Sequence, residues 1–285
     1  MIHDLDAFTL DRRQLLKVLA AAAAVAGLPS LALAESLKGT LINHVSYESA
    51  DYNKTRDFYR DLFGFQVSDE DDRQLFLWAG DALISAKNTP NVQRPFIDHF
   101  GLTVDPWGLD SVETVLKSRG LVPHVALNDP HDPNHKSAFV RDVNGYNLQL
   151  GAPDLETKPA PVASRAPLKA IGINHISYQC ADYGKARDFY AGLLGAPVSH
   201  DDGKQAYVWF GDAFIVFKKR TDGGAGPVID HMAWNLADWD AKHVVSVLKA
   251  HGLTGQADPT GKSVMTKDLN GYPLQLCSKD LEKRP

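Results

Sequence analysis

The sequence predicts an α+β protein made of two tandem copies of one domain, each copy built from two strand-helix-strand-strand-strand (βαβββ) modules. Three observations carry this. First, Ile42-Asn43-His44-Val45-Ser46-Tyr47 returns as Ile173-Asn174-His175-Ile176-Ser177-Tyr178, 131 residues on. Ile97-Asp98-His99 returns as Ile229-Asp230-His231 after 132, and Asn144-Gly145-Tyr146-Asn147-Leu148-Gln149-Leu150 as Asn270-Gly271-Tyr272-Pro273-Leu274-Gln275-Leu276 after 126. A unit of that length is a whole domain, too long for a solenoid repeat. Second, each copy runs through the same order of short elements twice. Third, a stretch punctuated by Pro153, Pro159, Pro161 and Pro167 separates the copies and reads as a linker.

The first element is an address rather than part of the fold. Asp11-Arg12-Arg13-Gln14-Leu15-Leu16-Lys17 precedes an apolar, Ala-rich run over 18–31 and the small-x-small site Ala32-Leu33-Ala34. Charged start, short apolar run and small-residue site make a signal peptide. The paired arginines resemble the twin-arginine export signal of bacteria. The run falls short of the roughly 20 residues a membrane span needs and contains Gly27 and Pro29. The expectation is a signal over 1–34, removed on export to the periplasm or beyond, and no membrane anchor afterwards. The first domain then covers 36–152, the linker 153–167 and the second domain 168–281.

Within the first copy, 41–46 alternates and reads as a strand. Residues 54–63 place Phe58, Tyr59, Leu62 and Phe63 at helical spacing, and Gly64 stops the helix. Strands follow over 65–68, 74–78 and 82–86. The second module has a strand over 97–104, a helix over 109–118 closed by Gly120, and strands over 122–127, 137–141 and 146–150. Asn144-Gly145 and Asn270-Gly271 are hairpin-turn pairs that set the register of the strands carrying Gln149 and Gln275.

The formal charge of −5 is mild and offers no basic patch for nucleic acid. Two cysteines, Cys180 and Cys277, both lie in the second copy. They could pair in an oxidising compartment, but no cysteine framework holds the fold.

The layout resembles the vicinal oxygen chelate superfamily, which includes glyoxalase I, bleomycin-resistance proteins, fosfomycin-resistance enzymes and extradiol dioxygenases. The resemblance covers nearly all of the chain after the signal. It is carried by Asn43-His44-Val45-Ser46, by Arg56-Asp57-Phe58-Tyr59 with Leu62-Phe63-Gly64, by Asp98-His99 and by Asp142-Val143-Asn144-Gly145-Tyr146-Asn147-Leu148-Gln149-Leu150, each repeated in the second copy. It implies two domains, each a cupped, mixed sheet with flanking helices, as in the two-domain extradiol dioxygenases. It also implies a divalent metal ion (Fe, Mn, Zn or Ni) inside the cup and no organic cofactor. Mapped onto this sequence, the ligand positions are His44, His99 and Gln149 in the first copy and His175, His231 and Gln275 in the second.

Strand parity supports a shared hollow. Side chains alternate across a sheet. The face of His44 would carry Ile42 and Ser46, and that of His99 would carry Ile97 and Gly101. Ser177 and Ala233 accompany His175 and His231. Val45, Tyr47, Phe100, Ile176, Tyr178 and Met232 would pack on the other face. The pattern also departs from the family. Glutamine stands where a glutamate ligand is usual, so the 2-His-1-carboxylate set that suits Fe(II) is incomplete. The fourth glyoxalase ligand has no counterpart in Leu83-Ile84-Ser85 or Phe214-Ile215-Val216.

Among other residues, the stretch Asp129-Pro130-His131-Asp132-Pro133-Asn134-His135 lies where the first copy is six residues longer than the second, counting Gly120 to Gly145 against Gly252 to Gly271. It reads as a solvated surface loop, with His131 or His135 as an alternative proton-transfer group. Trp78 and Trp209 read as core, Arg56-Asp57 and Arg187-Asp188 as helix-surface or inter-module contacts, and His200, His243 and His251 as surface. Two functions fit. One is an exported, metal-dependent enzyme acting on a small molecule with vicinal oxygens, of extradiol-dioxygenase or lyase/isomerase type, with His135 or Tyr146 assisting protons. The other is a metal-free protein that sequesters a small molecule, similar to the bleomycin-resistance members.

Overall fold

The computed structural model describes residues 36–129, 132–224 and 226–285, with the side chains of 127–129 and 132–135 excepted. The signal reading on 1–34 and His131 therefore lie outside the described residues, as does the side chain of His135. The first copy supplies β1 (Gly39–Ser49), α1 (Tyr52–Phe63), β2 (Gln66–Ser68), β3 (Gln74–Ala79) and β4 (Ala82–Asn88). Its second module is β5 (Phe96–Val104), α2 (Leu109–Ser118), β6 (His124–Asp129), β7 (Asp132–Arg141) and β8 (Asn147–Gly151). The second copy repeats this with β9 (Ala170–Cys180), α3 (Tyr183–Leu194), β10 (Val198–Ser199), β11 (Gln205–Phe210) and β12 (Ala213–Lys219). It ends with β13 (Val228–Leu236), α4 (Ala241–Ala250), β14 (Gln256–Ala257), β15 (Ser263–Lys267) and β16 (Pro273–Cys277).

Each copy forms one eight-stranded sheet, in the orders β2-β3-β4-β1-β5-β8-β7-β6 and β10-β11-β12-β9-β13-β16-β15-β14. The first strands of the two modules pair antiparallel at the centre, and each pairs parallel with the last strand of its own module. This is the predicted α+β architecture. Six strands carry the candidate ligands: β1, β5, β9 and β13 hold the histidines, and β8 and β16 the glutamines.

Local chemistry sets the helix that follows each first strand. Asp51 caps α1, its side chain accepting from the Lys54 N–H at 3.1 Å, so the helix starts two residues before the first expected turn. Gly64, at φ 71, closes it in the left-handed conformation. Asp182 and Gly195 repeat both devices around α3. Phe58, Tyr59, Leu62 and Phe63 are buried as the helical spacing predicts. Arg56 pairs with Asp57 and Glu70 on the outer surface of α1.

The faces that carry Val45, Tyr47, Ile176 and Tyr178 join in one core spanning both copies. Phe65 meets Trp234 with ring centroids 4.8 Å apart, Tyr47 meets Tyr272 at 5.4 Å and Tyr146 meets Tyr178 at 5.4 Å. Tyr47 Oη donates to Asp268 across the two copies at 2.6 Å, and Tyr178 Oη donates to Asp142 at the same distance in the reverse sense. The cups therefore open away from this shared core.

Several expectations are corrected. Ile42 lies in the core and not beside His44, because a β-bulge falls between the two residues and breaks the alternation. The insertion after Asp129 is no loose loop. β6 and β7 continue into it, with Asp129 paired to Asp132, and the result is a longer hairpin on the rim of the first sheet. Cys180 and Cys277 are free and buried. On β13, Val228 pairs with the neighbour of Cys180 and Asn235 pairs with Cys277, so the thiols sit about seven residues apart along the sheet, roughly 23 Å. That exceeds the Cα reach of a disulfide, and burial pushes the Cys180 thiol up to about 12. The linker is not a free tether. Leu155 is buried, Lys158 bonds Asp81 at 2.8 Å and the Leu168 N–H donates to the Leu62 carbonyl, so the segment lies along the first domain. His200, His243 and His251 are exposed as expected, and no described helix is long and apolar enough to cross a membrane.

Candidate functional site

Register brings the candidate ligands into rows. In the first sheet, Trp78, Leu83, His44, Gly101, Gln149 and Phe139 face one another across six strands. The adjacent row reads Phe76, Ser85, Ser46 and His99. In the second sheet the same rows read Trp209, Phe214, His175, Ala233, Gln275 and Met265, then Tyr207, Val216, Ser177 and His231. The two imidazoles of each cup meet edge to face, with centroids 5.3 Å apart in both domains.

The residue before each histidine aims it. His44 Nδ1 lies 2.7 Å from Asn43 Oδ1, and Asn43 Nδ2 donates to Thr103 Oγ1 at 3.0 Å, which fixes the amide orientation. A carbonyl oxygen only accepts, so His44 is protonated at Nδ1 and its Nε2 lone pair is left over. His99 Nδ1 donates to Asp98 Oδ2 at 2.8 Å, and that bond holds the Asp98 carboxyl below its usual range. His175 repeats the arrangement on Asn174 at 2.6 Å, with Asn174 tied to Asn235 at 2.7 Å. His231 stands 3.5 Å from Asp230, which Gln179 and Lys218 also hold. Backing of this kind is what metal-bound histidines use to fix tautomer and ring angle.

Gln149 donates its amide to Ser137 Oγ at 2.9 Å and meets His44 with its remaining polar end. Burial, and then the neighbouring His99, hold the His44 imidazole neutral, well below 6.5, against the pull of Gln149. Burial and His231 do the same to His175. A neutral imidazole is the ligating form.

The donors fit a divalent ion on one geometric ground. In the second cup, His175 Nε2 and His231 Nε2 are 3.1 Å apart. His175 already spends its proton on Asn174, so its lone pair faces the other ring. Bonds of roughly 2.1 Å from one ion to both nitrogens span such a gap. In the first cup, Ser46 Oγ is buried beside the histidines without a hydrogen-bond partner. Among the described residues no three His, Cys, Asp or Glu side chains stand close enough to hold an ion, and the polar side chain that accompanies the two histidines in each cup is the glutamine.

Room for a ligand differs between the cups. In the first, a cavity of about 220 Å³ reaches His44, His99 and Gln149, walled by Phe76, Phe139 and Glu156. A second, of about 290 Å³, opens on the other side of His44 against Trp78 and Leu155. In the second domain Phe214 replaces Leu83 and stacks on His175, with centroids 4.9 Å apart and planes at 22°. Tyr207 and Trp209 pack on Phe214 at 4.8 and 4.6 Å. That aromatic block takes the space the first cup leaves open.

Tyr146, expected beside the ion, is elsewhere. Its hydroxyl donates to the Ile97 carbonyl and its ring lies in the shared core with Phe100 and Tyr178, on the face away from the cup. Trp78 is buried as core, yet one edge also lines the first cavity. Sequence reasoning passed over Asn43, Asp98 and their repeats as the groups that orient the histidines. The signal was present in the recurring Asn-His and Asp-His dipeptides.

Paired βαβββ modules closing on a histidine-lined cup define a protein with the vicinal oxygen chelate fold. Residues 41–150 match the model of the Glyoxalase/Bleomycin resistance protein/Dioxygenase superfamily. The chain is 25% identical over 124 residues to metallothiol transferase FosB of Staphylococcus haemolyticus, covering 40% of this chain and 87% of the relative. The fold is similar to that of an Mn(II)-bound glyoxalase from Novosphingobium aromaticivorans, with TM-score 0.69 and 16% identity over 85% of this chain and 83% of the other. It is similar too to homoprotocatechuate 2,3-dioxygenase from Arthrobacter globiformis, with TM-score 0.68 and 16% identity over 86% and 82%. The 2,3-dioxygenase LapB from Pseudomonas sp. KL28 gives 0.66 and 16% over 85% and 93%.

Proposed function

We propose that this is a metal-dependent enzyme that acts on a small molecule with adjacent oxygens in the cup of its first domain, the second domain serving as structural partner. One observation carries the reading: His44 and His99 are each anchored at Nδ1, held on adjacent rows and accompanied by Gln149 beside an open cavity. The kinds of relative support it, since an Mn(II) glyoxalase, ring-cleaving dioxygenases and a metallothiol transferase share the fold or part of the sequence. Bound there, a divalent ion would supply Lewis acidity and a template for two substrate oxygens. His44 and His99 would hold it as neutral imidazoles, with Gln149 contributing its carbonyl. Phe76 and Phe139 give the cavity apolar walls, which suit an aromatic or otherwise flat ligand and exclude water around it.

The test is metal and ligand binding by the chain without residues 1–34. Stoichiometric Mn, Fe, Zn or Ni is expected, lost from the first cup in His99→Ala. Leu83→Phe copies the second domain's plug and is expected to keep the ion while abolishing binding of a catechol probe. Metal-free protein, or a His99→Ala variant that keeps its ion, sinks the reading. The second reading, a metal-free sequestering protein, is favoured by glutamine standing at 149 and 275 where a glutamate ligand is usual. It predicts tight probe binding without metal and no effect of His99→Ala.

The proposal includes export. Arg12-Arg13 ahead of an apolar run and Ala32-Leu33-Ala34 support twin-arginine passage to the periplasm or beyond. The exported protein is expected to begin at Glu35 on N-terminal sequencing. Export that is unchanged when Arg12 and Arg13 both become lysine would contradict the route.

A further inference from the structure

The second cup holds, in one of its own side chains, a shape for which the first cup has room. Leu83 of the first copy and Phe214 of the second stand at one position of the repeat, 131 residues apart. Each lies in its row between a tryptophan and a histidine: Trp78, Leu83, His44 in one sheet and Trp209, Phe214, His175 in the other. In the second copy the Phe214 ring bridges its two neighbours. It stacks on His175, with centroids 4.9 Å apart and planes at 22°, and tilts against Trp209 at 4.6 Å. Adjacent strands lie about 4.8 Å apart, so one ring on each strand makes an unbroken stack. His175 keeps Nε2 toward His231 while its face carries Phe214. Ring contact and donation from Nε2 thus use different parts of one imidazole.

In the first copy the same three positions, Trp78, Leu83 and His44, line the cavity of about 290 Å³. An apolar cavity of about 150 Å³ is enough for benzene, so the chamber has space for an aryl ring beside Leu83. Leu41, Pro153 and Leu155 add apolar wall. Trp78 turns its one polar atom away, Nε1 donating to Ser68 Oγ at 3.0 Å, as Trp209 Nε1 donates to Ser199 Oγ at 2.8 Å. Asn43 is spent on His44 and Thr103, and Asp81 on Lys158. His44 and Leu83 also wall the cavity of about 220 Å³ that reaches His99 and Gln149. The two chambers therefore adjoin, one with the ion-binding donors and one with the tryptophan.

We propose that the chamber beside Trp78 is a subsite for an aryl ring of the ligand, seated between Trp78 and His44 as Phe214 sits between Trp209 and His175. The ligand class is then a two-part molecule, with vicinal oxygens at one end for the chamber of His99 and Gln149 and a separate flat, apolar ring at the other. This rests on the reading that the first cup binds a small molecule with adjacent oxygens.

The experiment is calorimetric titration of residues 35–285 with catechol, 3-phenylcatechol and 4-phenylcatechol, with and without Mn(II). The better phenylcatechol is expected to bind about 10- to 100-fold more tightly than catechol, the gain that burying an apolar ring supplies. Ala152→Phe fills the chamber from the segment after β8 and is expected to bring that ratio to about one. Trp78→Leu removes the stacking partner and is expected to lower the ratio by about 3- to 10-fold. The ratio in the parent tests the subsite even where a variant fails to fold. Equal binding of catechol and both phenylcatechols by the parent overturns this proposal and leaves the catechol site standing. So does a gain that both folded variants retain in full. A gain measured without Mn(II) as well as with it supports the subsite even where metal uptake fails. No binding of any of the three overturns the reading of the cup, and this one with it.

Discussion

Replacing Gly101 by alanine is expected to weaken divalent-ion binding in the first cup by about 100-fold. Gly101 stands between His44 and Gln149 in the row that crosses the cup. A Cβ at this position would fall well inside contact distance of the His44 ring and of Asn43 Oδ1. The methyl group and the imidazole cannot both stay. His44 is buried and held by Asn43, so the ring must leave that hydrogen bond and turn its Nε2 away from His99. The backbone at Gly101 is not in the left-handed region, so alanine adds no dihedral strain. Overpacking here costs about 1–3 kcal/mol, and the fold survives. In the second domain Ala233 fills this register, and there His175 keeps its Asn174 bond, faces His231 and stacks on Phe214; the first cup has Leu83 at that place and offers His44 no such ring. Chelator competition with Mn(II), run beside thermal unfolding, checks the prediction. A Gly101→Ala protein that binds Mn(II) as tightly as its parent would mean that His44 is no ligand.

The duplicated architecture was readable from residue repeats because each motif reports a backbone need. Asp51 and Gly64 bound a helix, and Asn144-Gly145 a turn, whatever packs around them. The candidate ligands came from the family resemblance, and strand parity supported them: a histidine two residues from a serine, glycine or alanine on a central strand leaves open space. Parity failed where it assumed an unbroken period of two. The bulge between Ile42 and His44 moved Ile42 into the core, and a bulge leaves no mark in a single sequence. Tyr146 was misplaced although parity was enough to place it. It lies three residues before Gln149, an odd separation, and so belongs to the opposite face of the sheet. Asn43 and Asp98 were hidden by their ordinariness, since each looks like a surface polar residue until its partner ring is located. What no pattern revealed is tertiary: that Phe214 closes the second cup while Leu83 leaves the first open, and that the segment after β8 lies over the first.

Asp142→Ala is expected to destabilise the whole two-domain unit by about 4 kcal/mol, because this buried carboxylate bonds within its own turn and across the copies. Its Oδ1 accepts the Asn144 and Tyr146 N–H groups at 2.8 and 2.9 Å, shaping the turn before β8. Its Oδ2 accepts the hydroxyls of Tyr178 and Tyr190, both from the second domain, at 2.6 and 3.0 Å. Burial, and then Asp142, raise both phenols far above their usual range, so they remain donors at any working pH. Alanine removes four acceptor contacts at once in a place where water has little access. Each abandoned donor costs about 1–3 kcal/mol, and water entering the vacated space recovers part of the sum. Asp268 makes the mirror set with Asn270, Tyr272 and Tyr47. The two domains therefore share their tyrosine locks, and neither should unfold alone. Equilibrium denaturation should show one transition in the parent and in Asp142→Ala, with the midpoint lowered in the variant. Asp142→Asn, which keeps an acceptor for the turn and lets the phenols rotate to accept, should cost less than half as much. Two separate transitions in the parent, or an alanine variant within about 1 kcal/mol of it, would show that the copies stand independently and that the cross-domain bonds carry no stability.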